Sequence, residues 1–355
     1  MLTTLLSGDL PRSRTLGAML ALVVLALALA PFITTGARPL NTAATICIYI
    51  VLVASYDLLL GYTGIVSFAH TMFFGIGAYG VGLGFDGMTP TWSGAAIGLL
   101  AALALALVLA FIIGLFALRV RAIFYSMITL AVASSFAVLA SQLSDLTGGE
   151  DGKTFDVPDL LSPANEFGEF MGRIVDGKVL TYYIVFFAAV LIFLALLRIV
   201  NSPFGRVLQA IRENEFRAEA LGYRTVVYRI AANCIGAVAA TLAGALLALW
   251  LRYVGPKTTL GFEVMTDILL IVVIGGMGTM YGAVIGTALF ILANNYLKSL
   301  MAQAAGAVAG VPLLEAALHP DRWLLWLGIL FILAIYFFPS GIVGKLTRAA
   351  GRTST

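Results

Sequence analysis

The sequence predicts an all-α integral membrane protein of about ten transmembrane helices, read as a single domain over residues 1–355. Three observations predict it. The 355 residues are 61% hydrophobic and only 11% charged, with a mean hydropathy of +1.02. The apolar residues fall in long uncharged runs, and the basic residues gather in alternate connecting loops. Soluble domains carry about 25% charge, and no soluble fold of this size hides so much apolar surface.

A helix rises 1.5 Å per residue, so about 20 apolar residues cross the hydrocarbon core. Lipid offers no partner to a bare amide, so each span is expected to be helical. Eight uncharged runs stand out: Leu16–Thr35, Thr42–Tyr56, Leu58–Phe85, Ser93–Leu118, Ala122–Leu143, Val179–Leu197, Ile230–Leu251 and Trp323–Gly344. A ninth, Ile268–Leu297, would be roughly 45 Å long as one helix. Gly275, Gly276, Gly278 and Gly282 lie in its middle and predict a break, which brings the count to ten.

Lys and Arg in short loops set orientation. With a cytoplasmic N-terminus, the inner side holds Arg12, Arg14, Arg119, Arg121, six Arg between 198 and 229, Lys345, Arg348 and Arg352. That is thirteen of the 21 basic residues. The long outer segment Ser144–Lys178 instead carries eight Asp or Glu against three Lys or Arg. Ten spans with both termini inside satisfy every short loop. The start, with Arg12, Arg14 and Ala28-Leu29-Ala30, has some features of a cleaved signal peptide. Its apolar run is long for that role, and it is read as a retained first span.

Several motifs are decoys. Gly75-Ile-Gly77-Ala-Tyr-Gly80 matches a dinucleotide fingerprint but lies within a membrane run, where close helix packing is the expectation. Gly148–Thr154 resembles a phosphate loop, yet the required first glycine is Thr147 and the segment is acidic. Cys47 and Cys234 sit inside apolar runs and form no disulfide framework. With two His and two Cys, no metal cluster is expected. His70 is a possible intramembrane catalyst or, more simply, a hydrogen-bonded interior histidine. Asp57 is placed near an inner span end, within reach of water. An ion-driven carrier would want a buried mid-membrane carboxylate, and Asp267 near a span end supports that weakly.

Three constellations carry function. Gly61-Tyr-Thr-Gly64-Ile-Val-Ser67-Phe-Ala-His70, continued by Gly75 and Gly77, mixes small and polar residues at membrane depth. Irregular backbone there either lines a cavity or packs closely against protein. Gly275, Gly276, Gly278 and Gly282, with Gly286, predict a helix end followed by a small-residue face at i, i+4, i+8. The third is the inner loop 200–229. Ser202-Pro203 is a helix start and Gly222 a helix stop. Between them lies a mixed-charge surface helix that is either a solvated connector or a docking element for a cytosolic partner.

Together these segments resemble the permease subunits of branched-chain amino acid ABC importers of the LivM type, over roughly residues 40–345. The resemblance is carried by Leu58–Gly64, Phe73–Tyr79, Thr147–Gly152, Ser202-Pro-Phe-Gly205-Arg206, Ala210–Glu215, Ala218–Gly222, Gly275–Gly278 with Tyr281-Gly282, and Phe338-Pro-Ser-Gly341. It implies the type II importer permease fold. It implies pairing with a LivH-like permease, two ABC ATPase subunits beneath, and an extracytoplasmic substrate-binding protein. It implies a bacterial cytoplasmic (inner) membrane location, lipid contact, no nucleic acid, and no catalysis by this chain. No cofactor is expected here, with ATP and Mg on the partner subunits. Arg212, Glu213, Asn214, Glu215, Ala218, Leu221 and Gly222 match the family's ATPase-coupling signature. Two departures stand out: many relatives have Asn at Asp57, and Ser or Ala at Glu150. Relatives also move urea, short amides and aromatic acids, so the solute stays open. An ion-coupled secondary transporter and a membrane-embedded enzyme are the alternatives.

Overall fold

The structure is a computed structural model that describes residues 14–33, 36–86, 90–116, 122–170, 173–307, 319, 322–337 and 341–344. Arg12, Arg119, Arg121, Lys345, Arg348, Arg352 and most of the Phe338–Gly341 motif lie outside the described residues.

Among the described residues, ten apolar helices build the membrane domain. They are α1 (Arg14–Ile33), α2 (Ala37–Asp57), α3 (His70–Phe85), α4 (Trp92–Phe116), α5 (Ala122–Gln142) and α6 (Gly177–Asn201), then, after two short polar helices α7 (Pro203–Glu213) and α8 (Glu215–Ala220), α9 (Thr225–Leu251), α10 (Phe262–Gly275), α11 (Met280–Ala307) and α12 (Trp323–Phe337). Eight of the ten are long and apolar enough to cross a membrane. The other two are α3, with 16 residues, and α12, with 15 described.

Two boundaries differ from the sequence expectation. The expected break at Asp57 is absent: α2 continues as a π-helical turn over Leu58–Thr63, giving a 27-residue span. The run Leu58–Phe85 is therefore not one helix. Residues 64–69 are non-helical, and α3 starts at His70. Hydropathy misses this because no Asp, Glu, Lys or Arg interrupts the run from Leu58 to Phe85. The break at Gly275–Met280 is present where the glycines predict it.

The core is made by α2, α3 and α9. α3 is buried on nearly every side. Side-chain-free contacts make this possible. A Cβ on Gly77 would land on the Thr241 backbone of α9, and one on Gly244 on the Phe74 backbone of α3, so the two helices touch main chain to main chain. Gly80 and Gly84 meet Gly98 and Gly94 of α4 in the same way. The outward faces of α4, α5 and α6 expose Ile97, Ile123 and Leu191, which suits lipid as their solvent. α1 is tied into the domain: Tyr182 and Tyr183 of α6 donate to the Leu27 and Ala28 carbonyls at 2.5 and 2.9 Å.

The acidic loop 144–179 is not wholly loop or helix. β1 (Lys153–Thr154) pairs antiparallel with β4 (Tyr253–Val254), and β2 (Glu166–Phe170) pairs with β3 (Arg173–Asp176). Gly148–Thr154 thus forms turns and a two-residue strand, with no strand-to-helix phosphate cradle. Phe155 stacks on Phe85, Lys153 pairs with Asp86, and Arg252 donates to the Leu161 carbonyl at 2.6 Å. Burial lowers the Arg252 pKa, while Asp156 and Asp176 act to keep it charged. This end of the bundle is capped; α7 and α8 lie at the other.

Candidate functional site: the helix junction beneath α7

The inner-loop segment folds as two helices rather than one. α7 begins at Pro203 after Ser202, and Gly222 (φ +90) follows α8, as the start and stop signals predict. Between them Asn214 is extended (φ −161, ψ 102), and its Oδ1 accepts from the Arg217 amide at 3.0 Å. Asn214 therefore caps α8 and breaks the helix, a use of Asn that competes with helix continuation.

The coupling candidates divide by what they touch. Val207, Ile211 and Ala218 pack together under Tyr228 of α9 and seat the pair on the bundle. Glu215 is committed to Arg229 of α9, with oxygen–nitrogen distances of 2.6 and 2.9 Å. Glu213 is exposed, as are Leu221 and Gly222. Phe216 on α8 is 84% exposed, and Leu221, just past the helix end, is 71% exposed, so the segment displays two large apolar side chains. The sequence shows Phe216 as one apolar residue of the stretch; only the fold shows which way it faces.

Arg212 turns the other way. Its Nη1 donates to the Gly61 carbonyl in the π-helical turn. A few ångströms on, the Gly278 amide donates to Asp57 Oδ1 at 2.9 Å. This overturns the expectation that Asp57 reaches water: it is 1% exposed. The missed signal is the departure itself, an acid four residues before Gly61, on the helix face that carries it. Gly278 (φ +78) lies in the turn between α10 and α11, so it does not belong to the helical face expected of it. Gly282 and Gly286 do form such a face. It rests on α10: added Cβ atoms would meet the Gly275 and Ile271 carbonyls at 2.7 Å each. Gly276 abuts Gly341.

The remaining candidates separate. Gly75 abuts Leu260 and Gly77 abuts Thr241, so both are packing glycines. Gly64 is exposed beside Arg212, its added Cβ 3.3 Å from Arg212 Cγ. Ser67 and His70 are buried. His70 Nε2 lies 2.8 Å from Ser55 Oγ, whose proton goes to the Leu52 carbonyl at 2.7 Å. Ser55 must then accept, so Nε2 carries a hydrogen. Tyr56 meets the imidazole edge-on at 5.2 Å. A histidine clamped this way is an interior packing residue with one polar tie. Among the described residues no group of three His, Cys, Asp or Glu could hold a metal ion.

Residues 38–335 match the family described as branched-chain amino acid transport system / permease component. The chain is 28% identical over 301 residues to the high-affinity branched-chain amino acid transport system permease protein LivM of Escherichia coli, covering 79% of this chain and 68% of that protein. It is 26% identical to the Salmonella typhimurium protein of the same name over the same shares. It is also 26% identical over 328 residues to a probable branched-chain amino acid transport permease protein LivM of Methanocaldococcus jannaschii, covering 83% and 90%. No solved structure matches significantly.

Proposed function

The chain belongs to the branched-chain amino acid transport system / permease component family, and from that premise we propose that it is one of two homologous permease subunits of an ABC importer. With a LivH-like partner it forms the path for branched-chain amino acids or a related small organic solute. Two ATPase subunits, which hold the ATP and Mg, sit beneath the permease pair, residues 212–222 of α7 and α8 carry this chain's ATPase contact, and an extracytoplasmic binding protein delivers solute at the capped end. The protein sits in a bacterial inner membrane, with both termini and the α7–α8 pair in the cytoplasm.

The observation that carries the coupling role is the exposure of Phe216 and Leu221 on a segment fastened to the bundle by the Glu215–Arg229 pair. We read them as the contact with another protein because they lie on the polar segment between spans, where lipid does not account for them, and aromatic side chains are the favoured anchors of interfaces. The basic loops support the orientation. Alternating access requires two packings of similar free energy. Main-chain contacts such as Gly77–Thr241 offer smooth surfaces for it.

The test is purification of the tagged protein in mild detergent, with mass spectrometry of what accompanies it. An ATPase and a second, similar permease are expected. A chain that purifies alone and still moves solute would overturn the proposal in favour of ion-driven transport. Two observations favour that second reading: the buried Asp57 carboxylate, and Asp267, which is half-buried within the span Pro256–Gly275 rather than near its end.

A further inference from the structure

Three pieces of chain far apart in sequence meet at one point. The first is the π-helical turn Leu58–Thr63, the second the turn Gly276–Thr279 between α10 and α11, and the third the last turn of α7. Two polar contacts join them: Arg212 Nη1 to the Gly61 carbonyl, and the Gly278 amide to Asp57 Oδ1. The other carboxylate oxygen, Asp57 Oδ2, is buried with no hydrogen-bond partner in the described structure. The junction has no room for side chains at its glycines. A Cβ on Gly61 would sit 2.7 Å from Asp57 Cγ, and one on Gly278 would sit 2.8 Å from both Arg212 Nη1 and the Gly61 oxygen.

We propose that Arg212 and Asp57 are positioning residues that carry movement of α7 to the ends of α2, α10 and α11. The proposal rests on the reading that α7 and α8 receive the ATPases. Apolar contacts such as Val207 and Ile211 under Tyr228 are non-directional and can slide. Charge-assisted hydrogen bonds are directional: Arg212, itself exposed at the surface, ends on the buried Gly61 carbonyl, and the buried Asp57 carboxylate ends on the Gly278 amide. Movement of α7 therefore pulls on the Gly61 carbonyl. Gly61 and Asp57 share one turn of helix, so the pull reaches Gly278 as well. Both receiving points are places where the helix is already irregular, the π turn on one side and the Gly276–Gly278 turn on the other. A rigid link ending on two yielding joints moves the joints rather than bending the helices.

The experiment uses the assembled importer in proteoliposomes and reads three quantities: ATPase co-purification, ATP hydrolysis, and solute moved per ATP. Arg212→Gln is expected to keep its ATPases and their hydrolysis while solute moved per ATP falls about tenfold, the range for a coupling residue. Arg212→Lys, which keeps the charge and one donor, should restore part of the loss. Asp57→Asn retains an acceptor oxygen for Gly278 and should stay within about threefold of the parent, whereas Asp57→Leu should uncouple as Arg212→Gln does. If Arg212→Gln does not fold, Arg212→Lys and the Asp57 pair carry the comparison. Wild-type transport per ATP in Arg212→Gln and Asp57→Leu overturns the proposal. Loss of ATPase binding in Arg212→Gln also overturns it, because that places Arg212 in the docking surface. Phe216→Glu reports on docking alone: if it retains its ATPases, the docking reading has failed, and the fault is not in the link.

Discussion

Glu215 and Arg229 form a two-pronged ion pair, at 2.6 and 2.9 Å, that fastens the first turn of α8 to the first turns of α9. Glu215 belongs to the segment that resembles a coupling signature, yet its carboxylate is spent within the chain. It orients the docking element, and Phe216 beside it supplies the exposed surface.

Glu215→Lys should therefore weaken ATPase co-purification by tilting α8. The swapped pair Glu215→Arg with Arg229→Glu should restore it. Partly exposed pairs of this kind are worth about 1 kcal/mol. If the swap does not rescue binding, Glu215 touches the ATPase directly.

Phe216→Ala should lower ATPase affinity about tenfold or more, as loss of a central aromatic anchor does. Its side chain is 84% exposed, so the melting temperature in detergent should hold. A fall in melting temperature equal to that of a core variant would show that Phe216 packs within the bundle.

Gly77→Val should destabilise the membrane domain by roughly 3 kcal/mol or more, because the new Cβ lands on backbone that cannot move aside. Gly328→Ala in α12 meets nothing within 4 Å and should be neutral or gain about 0.5–1 kcal/mol. Thermal unfolding of the two variants side by side checks the contrast.

Ser55→Ala removes the acceptor of the His70 Nε2 hydrogen in a closed site, at a cost of about 1–3 kcal/mol. Folded protein should be scarcer while KM for the solute stays unchanged. A KM shift without loss of folded protein would make His70 a pathway residue.

The glycine pattern shows how far sequence reading reaches. Gly275–Gly282 announces a helix break because several glycines interrupt an overlong apolar run, and the break is there. The break at Gly64–Ala69 is hidden because apolar residues continue through it, and lipid-span patterning has no period that marks a local irregularity. Ser202-Pro203 and Gly222 bound the polar helices correctly, since caps are local chemistry. The break at Asn214 escapes because Asn, though it favours caps, also occurs inside helices, and no Gly or Pro accompanies it to mark the end of α7.

By itself the sequence determined the solvent, the helical class, the number of apolar helices and the polar segment between α6 and α9. Those follow from composition, run length and local capping, which act over about 20 residues or fewer. The tertiary structure alone decided that Asp57 is buried on the Gly278 amide, that Arg212 reaches Gly61, and that Phe216 rather than Glu215 is the free surface of α8. These contacts join residues up to 221 positions apart, and in a chain apolar on every face no periodic pattern says which faces meet. Small-residue packing decides it, and that depends on both partners at once.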